Sequence, residues 1–297
     1  MPEPYDLLVI GTGITGLAAA RQAAQDGLST ATLESLFFGG LVTNINELDG
    51  TIAGSGSDVA AGLMMQASKL GVKNIAAQVS GIARDGAALV VKSDAGDHRA
   101  RSVIIASGAT LKRLGVPGEA ELEGQGVSRC ADCDGPFYQG KDVVVVGGGD
   151  SALQEAIVLC EFARTVHVVH RSGTFRAKPH LVERLKAHPN ARVHLDTRVQ
   201  AVLGDEGVQA VRVEGGTNGE IECGGFFAYV GLEPAAGFVP ETVQRDSVGF
   251  LLTSEGLQTA MPGVFAAGAV RSGYGGMLAD AMAEGVAAAQ AARALVR

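Results

Sequence analysis

Two cysteines three residues apart, Cys130 and Cys133, lie in the stretch RCADCDGPFY, with a carboxylate, Asp134, directly after the second. The spacing serves three chemistries: half of a zinc site, a structural disulfide, or a dithiol that cycles between reduced and oxidised forms. A C-x-x-C pair closes a small ring, and the spacing commonly lowers one thiol's pKa so that thiolate is present near neutrality. A neighbouring carboxylate can carry the protons that two-electron disulfide reduction requires. The remaining cysteines, Cys160 in AIVLCEF and Cys223 in a strand-like segment, have no cysteine or histidine at ligand spacing. A tetrahedral zinc site therefore lacks its second ligand pair and no metal is expected; Cys160 and Cys223 read as buried packing residues.

Two glycine-rich turns must be positioned around this pair. In YDLLVIGTGITGLAAARQAAQDGLSTATLES, the apolar run Leu7 to Ile10 predicts a buried parallel strand. Gly11, Gly13 and Gly16, with Thr15 between them, match G-x-G-x-x-G, and Leu17 to Ala24 predict a helix. A second strand, Thr30 to Leu33, ends at Glu34. Such glycines let backbone approach a pyrophosphate at a helix N-terminus, and the acid takes a ribose diol. The second unit starts at Asp142: strand Val143 to Val146, a G-x-G-x-x-A turn (Gly147, Gly148, Gly149, Asp150, Ser151, Ala152), and helix Leu153 to Phe162. Its next strand, Thr165 to Val169, runs into HRSGTFRA instead of an acid, so His170, Arg171 and Arg176 put positive charge where a ribose 2′-phosphate would lie. The first turn fits FAD and the second NADPH. Neither is a P-loop, because no Gly-Lys-Ser/Thr follows. Two dinucleotide sites in one chain suggest electrons passing between cofactors.

The bulk properties agree. At 297 residues, 46% hydrophobic and 19% charged, the chain can build two folded domains. A net charge of −8 argues against a nucleic-acid partner. No run approaches ~18 uncharged apolar residues, so no membrane span is expected. The N-terminus lacks a basic region followed by an apolar stretch, so the expected location is cytoplasmic. Four cysteines do not make a disulfide framework.

The order of the pieces predicts an interrupted domain. A helix is expected within Gly50 to Leu70, and a small β-meander over Val72 to Val91 turning at Arg84-Asp85-Gly86. A buried strand, Arg101 to Ala106, ends in SGAT, and LGVPG (114–118) reads as a linker. A crossover over Val208 to Val213 and Ile221 to Val230 follows, and then GVFAAG (263–268) and an Ala-rich helix from Leu278 to Val296 return to the style of the first half. The expected fold class is α/β: two Rossmann-like dinucleotide-binding domains of three-layer ββα type. An NADPH domain (116–240) that carries the C-x-x-C is inserted in an FAD domain (1–115 and 241–297), with connections near 113–117 and 238–247.

Several of these segments together resemble the low-molecular-weight, bacterial-type thioredoxin reductases. CADCDG is similar to that family's redox motif, and GGGDSALQEA and HRSGTFRA to its NADPH segments. GTGITGLAAA, GGLVTNINELDG (39–50), ASGA (106–109) and GVFAAG resemble its flavin segments, in the same order. The resemblance implies a homodimeric flavoprotein carrying electrons from NADPH through FAD to the cysteine pair and on to a protein disulfide such as thioredoxin. It implies flavin contacts from Gly40, Leu41, Asn46, Ala106, Gly108, Gly268, Ala269, Gly276 and Met277. Cys133 would face the flavin, Cys130 would be the exposed nucleophile, and Asp134 the proton donor or acceptor. Because nicotinamide and dithiol share one domain yet serve one flavin, rotation about the two connections is expected. Partner contacts are expected near Arg129 and Phe137-Tyr138.

Three positions depart from the family pattern. Ala269 stands where an Asp usually follows FAxG, RSGYGGMLADA (271–281) lacks the usual Arg-Gln pair, and Ser172 replaces a second adjacent Arg. Free N–H groups at Gly275 to Met277 could replace part of the lost grip on flavin, with Tyr274 beside the ring. The same departures keep two other enzyme readings open: a flavoenzyme driven by another carrier such as ferredoxin, and a dithiol oxidase using oxygen.

Overall fold

The structure, a computed structural model, describes residues 3–45, 48 and 54–296. It begins β1 (Tyr5–Ile10), α1 (Ile14–Gln25), β2 (Thr30–Glu34), α2 (Gly56–Lys69), β3 (Lys73–Ala76), β4 (Val79–Asp85), β5 (Ala88–Ser93), β6 (Gly96–Ile105) and β7 (Ala109–Leu111). Next come β8 (Val127–Ser128), α3 (Ala131–Asp134), β9 (Asp142–Gly147), α4 (Asp150–Cys160), β10 (Thr165–Val169) and α5 (Pro179–Ala187). They are followed by β11 (Ala191–His194), β12 (Thr197–Leu203), β13 (Ala210–Gly215), β14 (Gly219–Glu222) and β15 (Gly225–Tyr229). The chain closes with β16 (Leu232–Pro234), β17 (Val264–Ala266) and α6 (Leu278–Val296).

Two compact units result: Met1–Thr110 with Glu233–Arg297, and Leu111–Leu232. The passages between them, β7 and β16, pair as a two-stranded ribbon. The crossings fall upstream of the segments that sequence suggests as connections. Val239 and Val243 are buried in the first unit's core, and the Pro117 carbonyl accepts from Val202 N–H inside the second. Proline and glycine mark turns, and turns occur inside a unit as readily as between two.

In the first unit the parallel strands run β3-β2-β1-β6, and β17 pairs with the last residues of β6. The first half of β6 is longer than its parallel partners need, and β5 and then β4 pair antiparallel along it. Alternation along β1 explains the layers. Leu7 and Val9 face Ala19, Ala20 and Ala23 of α1 and Ala288, Ala289 and Ala292 of α6, while Leu8 and Ile10 join Ile82, Leu89 and Val91. Each such Leu or Val contributes about 1.5–3 kcal/mol by burial, so a one-residue slip is strongly disfavoured. The expected meander over 72–91 needs correction: β3 is a parallel edge strand on β2, with Ala31 opposite Lys73, and only β4, β5 and β6 form the antiparallel turn-backs. The helix α2 returns the chain to the far edge, which strand-like composition alone does not reveal.

The second unit repeats the plan. Five parallel strands run β11-β10-β9-β15-β8, and β12-β13-β14 form a three-stranded sheet. Val143 and Val145 face α4 and α5 through Leu153, Ala156, Leu181 and Leu185; Val144 and Val146 face Val199, Val202, Val211 and Val213 of the small sheet. Four valines in a row thus serve two cores. The segment from 208 to 230 first makes an antiparallel excursion, β13 and β14, and then re-enters the parallel sheet as β15.

Candidate active site

The second unit holds the cysteine pair just after β8: Cys130 precedes α3, a single helical turn, and Cys133 lies within it. Cys130 and Cys133 form a disulfide with their Cα atoms 5.3 Å apart. Cys130 caps the turn: its Sγ accepts from the Cys133 N–H at 3.1 Å, and Asp134 N–H donates to the Cys130 carbonyl at 3.1 Å. Ser128, which sequence reasoning passed over, ties the turn together. Its Oγ accepts from Cys130 N–H (3.2 Å) and its hydroxyl donates to Asp134 Oδ2 (2.6 Å). The expectation of an exposed Cys130 needs correction: Cys133 is the exposed sulfur residue and Cys130 is half-buried. Position beside the strand end decides this, and spacing does not carry it.

Below the turn, Glu155 of α4 accepts the Ala131 N–H at 3.0 Å and the Tyr229 hydroxyl at 3.2 Å, both on Oε2. Burial, reinforced by Asp132, pushes its carboxyl up to about 7. Of the two aromatic residues after the pair, Phe137 is exposed, whereas Tyr138 packs edge-on against Phe227 and donates to the Gly126 carbonyl. Arg129 pairs with Glu123 at 3.0 Å.

The first unit builds the other glycine turn. A Cβ on Gly16 would overlap the Gly11 carbonyl oxygen, and one on Gly11, whose φ is +100°, would overlap the Ala106 carbonyl oxygen. Backbone of β1, α1 and the end of β6 therefore meets without side chains between, as a pyrophosphate cradle needs. Gly13 caps α1 with no side-chain cap, so the first N–H groups of the helix keep their donors for an anion. Glu34 Oε1 accepts Ser35 and Leu36 N–H, and Oε2 accepts Thr12 N–H and Oγ1. The Thr12 hydroxyl is the one rotatable donor in that set, so a ribose hydroxyl can take its place. These groups fit the adenosine diphosphate half of FAD.

The other expected flavin residues lie in the same unit. Gly40 and Leu41 begin a 3-10 turn (Gly40–Asn44), and Asn46 falls outside the described residues. Ala106 N–H donates to Ile10 O, and the Gly108 carbonyl accepts from Ala235. Gly268 abuts the Thr15 side chain. Gly276 precedes α6, and the Met277 carbonyl accepts both Ala281 N–H and the Tyr274 hydroxyl (2.9 Å). Beside Ala269 the available carboxylate is that of Glu284, which holds Gly268 N–H at 2.7 Å and the Arg271 guanidinium at 2.5 and 2.8 Å.

At the second glycine turn, Gly147, Gly148, His170, Arg171 and Arg176 line a cavity of about 250 Å³. Gly149 caps α4, again with no side-chain cap; Ser151 is exposed in its first turn; Asp150 Oδ1 accepts Lys178 N–H at 2.8 Å. The Gly148 carbonyl accepts Arg176 and Ala177 N–H, which folds the basic loop onto the turn. His170 does not add charge as expected. It is buried against the loop with Nε2 3.1 Å from Thr174 O, and burial, with Arg176 and Arg171 nearby, lowers its pKa. Arg198 of β12 lines the same cavity and was invisible in the motif, because it arrives from a separate strand. Asp196, with φ 51°, is the acidic neighbour of the loop at Gly173. Uncapped helix start and arginines fit a dinucleotide bearing a 2′-phosphate.

Cys160 and Cys223 are buried free thiols, as expected, and burial pushes them up to about 11 and about 12. Among the described residues no group of three or more His, Cys, Asp or Glu is placed to hold a metal, and no helix is long and apolar enough to cross a membrane.

Comparison with known proteins agrees with this geometry. The family model described as pyridine nucleotide-disulphide oxidoreductase matches residues 5–294. A protein named thioredoxin reductase from Treponema pallidum is 35% identical, the alignment covering 100% of this chain and 98% of that protein. A Bacillus subtilis protein of the same name is 34% identical over 96% of this chain and 93% of its own. The crystal structure of Lactococcus lactis thioredoxin reductase superposes with a TM-score of 0.94 at 33% identity, covering 98% of this chain and 99% of that one. The protein is an FAD-dependent NADPH disulfide oxidoreductase: bound FAD supplies the two-electron transfer between nicotinamide and disulfide. The chain belongs to the pyridine nucleotide-disulphide oxidoreductases and, among them, to the low-molecular-weight thioredoxin reductase family.

Proposed function

We propose that the chain reduces the disulfide of thioredoxin or a thioredoxin-like protein, as a cytoplasmic homodimer, through Cys130 and Cys133. The observation that carries this is a disulfide on a turn whose neighbouring carboxylate, Asp134, is held by Ser128 in the unit that also has the second glycine turn. Two electrons enter at Cys133, the exposed sulfur; the S–S bond breaks and Cys130 leaves as thiolate. The Cys133 N–H, already directed at Cys130 Sγ, stabilises that charge. Cys130 then attacks the partner disulfide, and one partner sulfur leaves. Cys133 attacks Cys130 Sγ in turn, which releases the second partner sulfur and restores the disulfide. Asp134 holds the proton exchanged with these sulfurs.

In this reading the adenosine half of FAD rests on Gly11, Gly13, Gly16 and Glu34, and the 2′-phosphate of NADPH on Arg171 and Arg176. Relatives named thioredoxin reductase support the choice of partner. The test is a trap. Cys133→Ser mixed with oxidised thioredoxin should accumulate a mixed disulfide on Cys130, and Cys130→Ser should form none; capture by Cys133 instead would reverse the assignment. Anaerobic NADPH should bleach the yellow holoenzyme within the dead time of turnover. A flavin that stays oxidised would replace NADPH with another donor.

A further inference from the structure

Glu155 sits on the wrong face of its helix for a charged residue. Ala152, three before it, and Leu159, four after, are both buried, so its carboxylate is turned toward the core. Two donors meet it there: the Ala131 N–H, which as the first N–H of a one-turn helix has no partner within α3, and the Tyr229 hydroxyl at the end of β15. Ala131 lies between the two cysteines, and its backbone is fixed by this bond.

We propose that Glu155 is the positioning residue of the dithiol turn and takes up a proton when the Cys130–Cys133 disulfide is reduced. The proposal deepens the disulfide-reductase reading and rests on it. The structure holds the oxidised form. Reduction adds two electrons, breaks the S–S bond, and with one proton leaves one thiol and one thiolate. The new negative charge lies on a residue adjoining the Glu155 anchor, and two like charges in a half-buried site cannot both persist cheaply. A second proton therefore goes to the Glu155 carboxylate, and reoxidation returns it.

The surroundings favour this choice. The carboxyl already titrates near neutrality in the disulfide form, pushed up to about 7 by burial and by Asp132 of α3. Tyr229 of β15 stays protonated, because burial and Glu155 raise its phenol, so it remains a donor to either form. The other elements against α4, namely β9, β10 and α5, contribute Val143, Val145, Val166, Val168, Leu181 and Leu185 to the shared core. Asp134 is a separate carboxylate bound to Ser128.

The test equilibrates holoenzyme with glutathione redox buffers across neutral pH, quenches with an alkylating reagent, and counts labelled Cys130 and Cys133 by mass. Above pH 7, wild type should lose one further factor of ten in the reduction equilibrium constant per pH unit relative to Glu155→Gln, which is about 30 mV for a two-electron couple. Gln keeps an acceptor for Ala131 N–H, so a purely structural Glu155 would give parallel slopes, and parallel slopes overturn the proposal. Should the variant not fold, wild type decides alone: reduction at mildly alkaline pH should produce an infrared band of a protonated carboxylic acid that shifts with ¹³C-glutamate, and its absence overturns the proposal. A pair that no buffer reduces would instead bring down the disulfide-reductase reading.

Discussion

Four cysteines of identical chemistry behave as two kinds in this chain, and environment separates them. Cys160 and Cys223 are buried, with thiols pushed up to about 11 and about 12, so neither offers thiolate near neutrality. Native protein reduced gently and treated with iodoacetamide should therefore label at Cys130 and Cys133 alone by mass spectrometry; fast labelling of Cys160 or Cys223 would refute the burial argument. A second prediction concerns the basic loop. With Ser172 in place of an arginine, the cavity's charge comes from Arg171, Arg176 and Arg198, offset by Asp196. All of these are solvent-exposed, so each phosphate contact is worth about 1 kcal/mol, or roughly fivefold. Arg198→Met should weaken 2′,5′-ADP about fivefold by calorimetry and leave 5′-AMP unchanged, while Ser172→Arg should strengthen the former. Much of this site was legible because C-x-x-C and G-x-G-x-x-G are local: type and spacing determine what the backbone can do. What stayed hidden depends on neighbours distant in sequence. Arg198 comes from another strand, Glu155 from the next helix, and the lowered pKa of His170 from the loop that buries it.

At the scale of elements, α1 and α6 meet through alanine and glycine faces, and that closeness positions the first glycine turn. A Cβ on Gly285 of α6 would overlap the Thr15 carbonyl oxygen in the first turn of α1, and would also crowd Ala19 N. Ala for Gly gains about 1 kcal/mol of helix propensity, but pushing backbone apart costs about 1–3 kcal/mol, so crowding wins. Gly285→Ala should lower the melting temperature by a few degrees and weaken FAD retention on dialysis, because the displaced backbone belongs to the pyrophosphate cradle. An unchanged melt with full flavin would show that the helices move apart freely. The α6 boundaries were legible from the alanine run, and β9 from a valine run ending in a glycine turn. The place of β3 was not, because a strand's composition states that it pairs and leaves its partner open.

At the scale of the molecule, one unit interrupts the other, yet each owns both of its core layers. Both ends of the inserted unit meet in the β7–β16 ribbon, and Lys112 N–H donates to Gly231 O at 2.9 Å, so excision leaves no distant ends to close. The fragment Leu111–Leu232 should therefore unfold cooperatively and still bind 2′,5′-ADP. Its stability should carry a signature of the imidazole pair on the neighbouring strands β10 and β11. His167 Nδ1 lies 3.0 Å from His194 Nε2, and His194 Nδ1 lies 2.9 Å from Thr217 Oγ1. Burial lowers both pKa values, and for His167 the neighbouring imidazole lowers it further against the opposing pull of Asp142. A histidine whose folded pKa is depressed binds fewer protons in the native state than in the unfolded one, so stability rises with pH through that window. The contribution is complete above the unfolded value of 6.5 and is lost as pH falls below it toward the folded values. Urea midpoints followed by circular dichroism should thus drop between about pH 7.5 and about pH 5.5, and His167→Asn should remove part of that drop. Equal midpoints at both pH values would mean that the two rings titrate as free histidines and that their contact does not survive in solution.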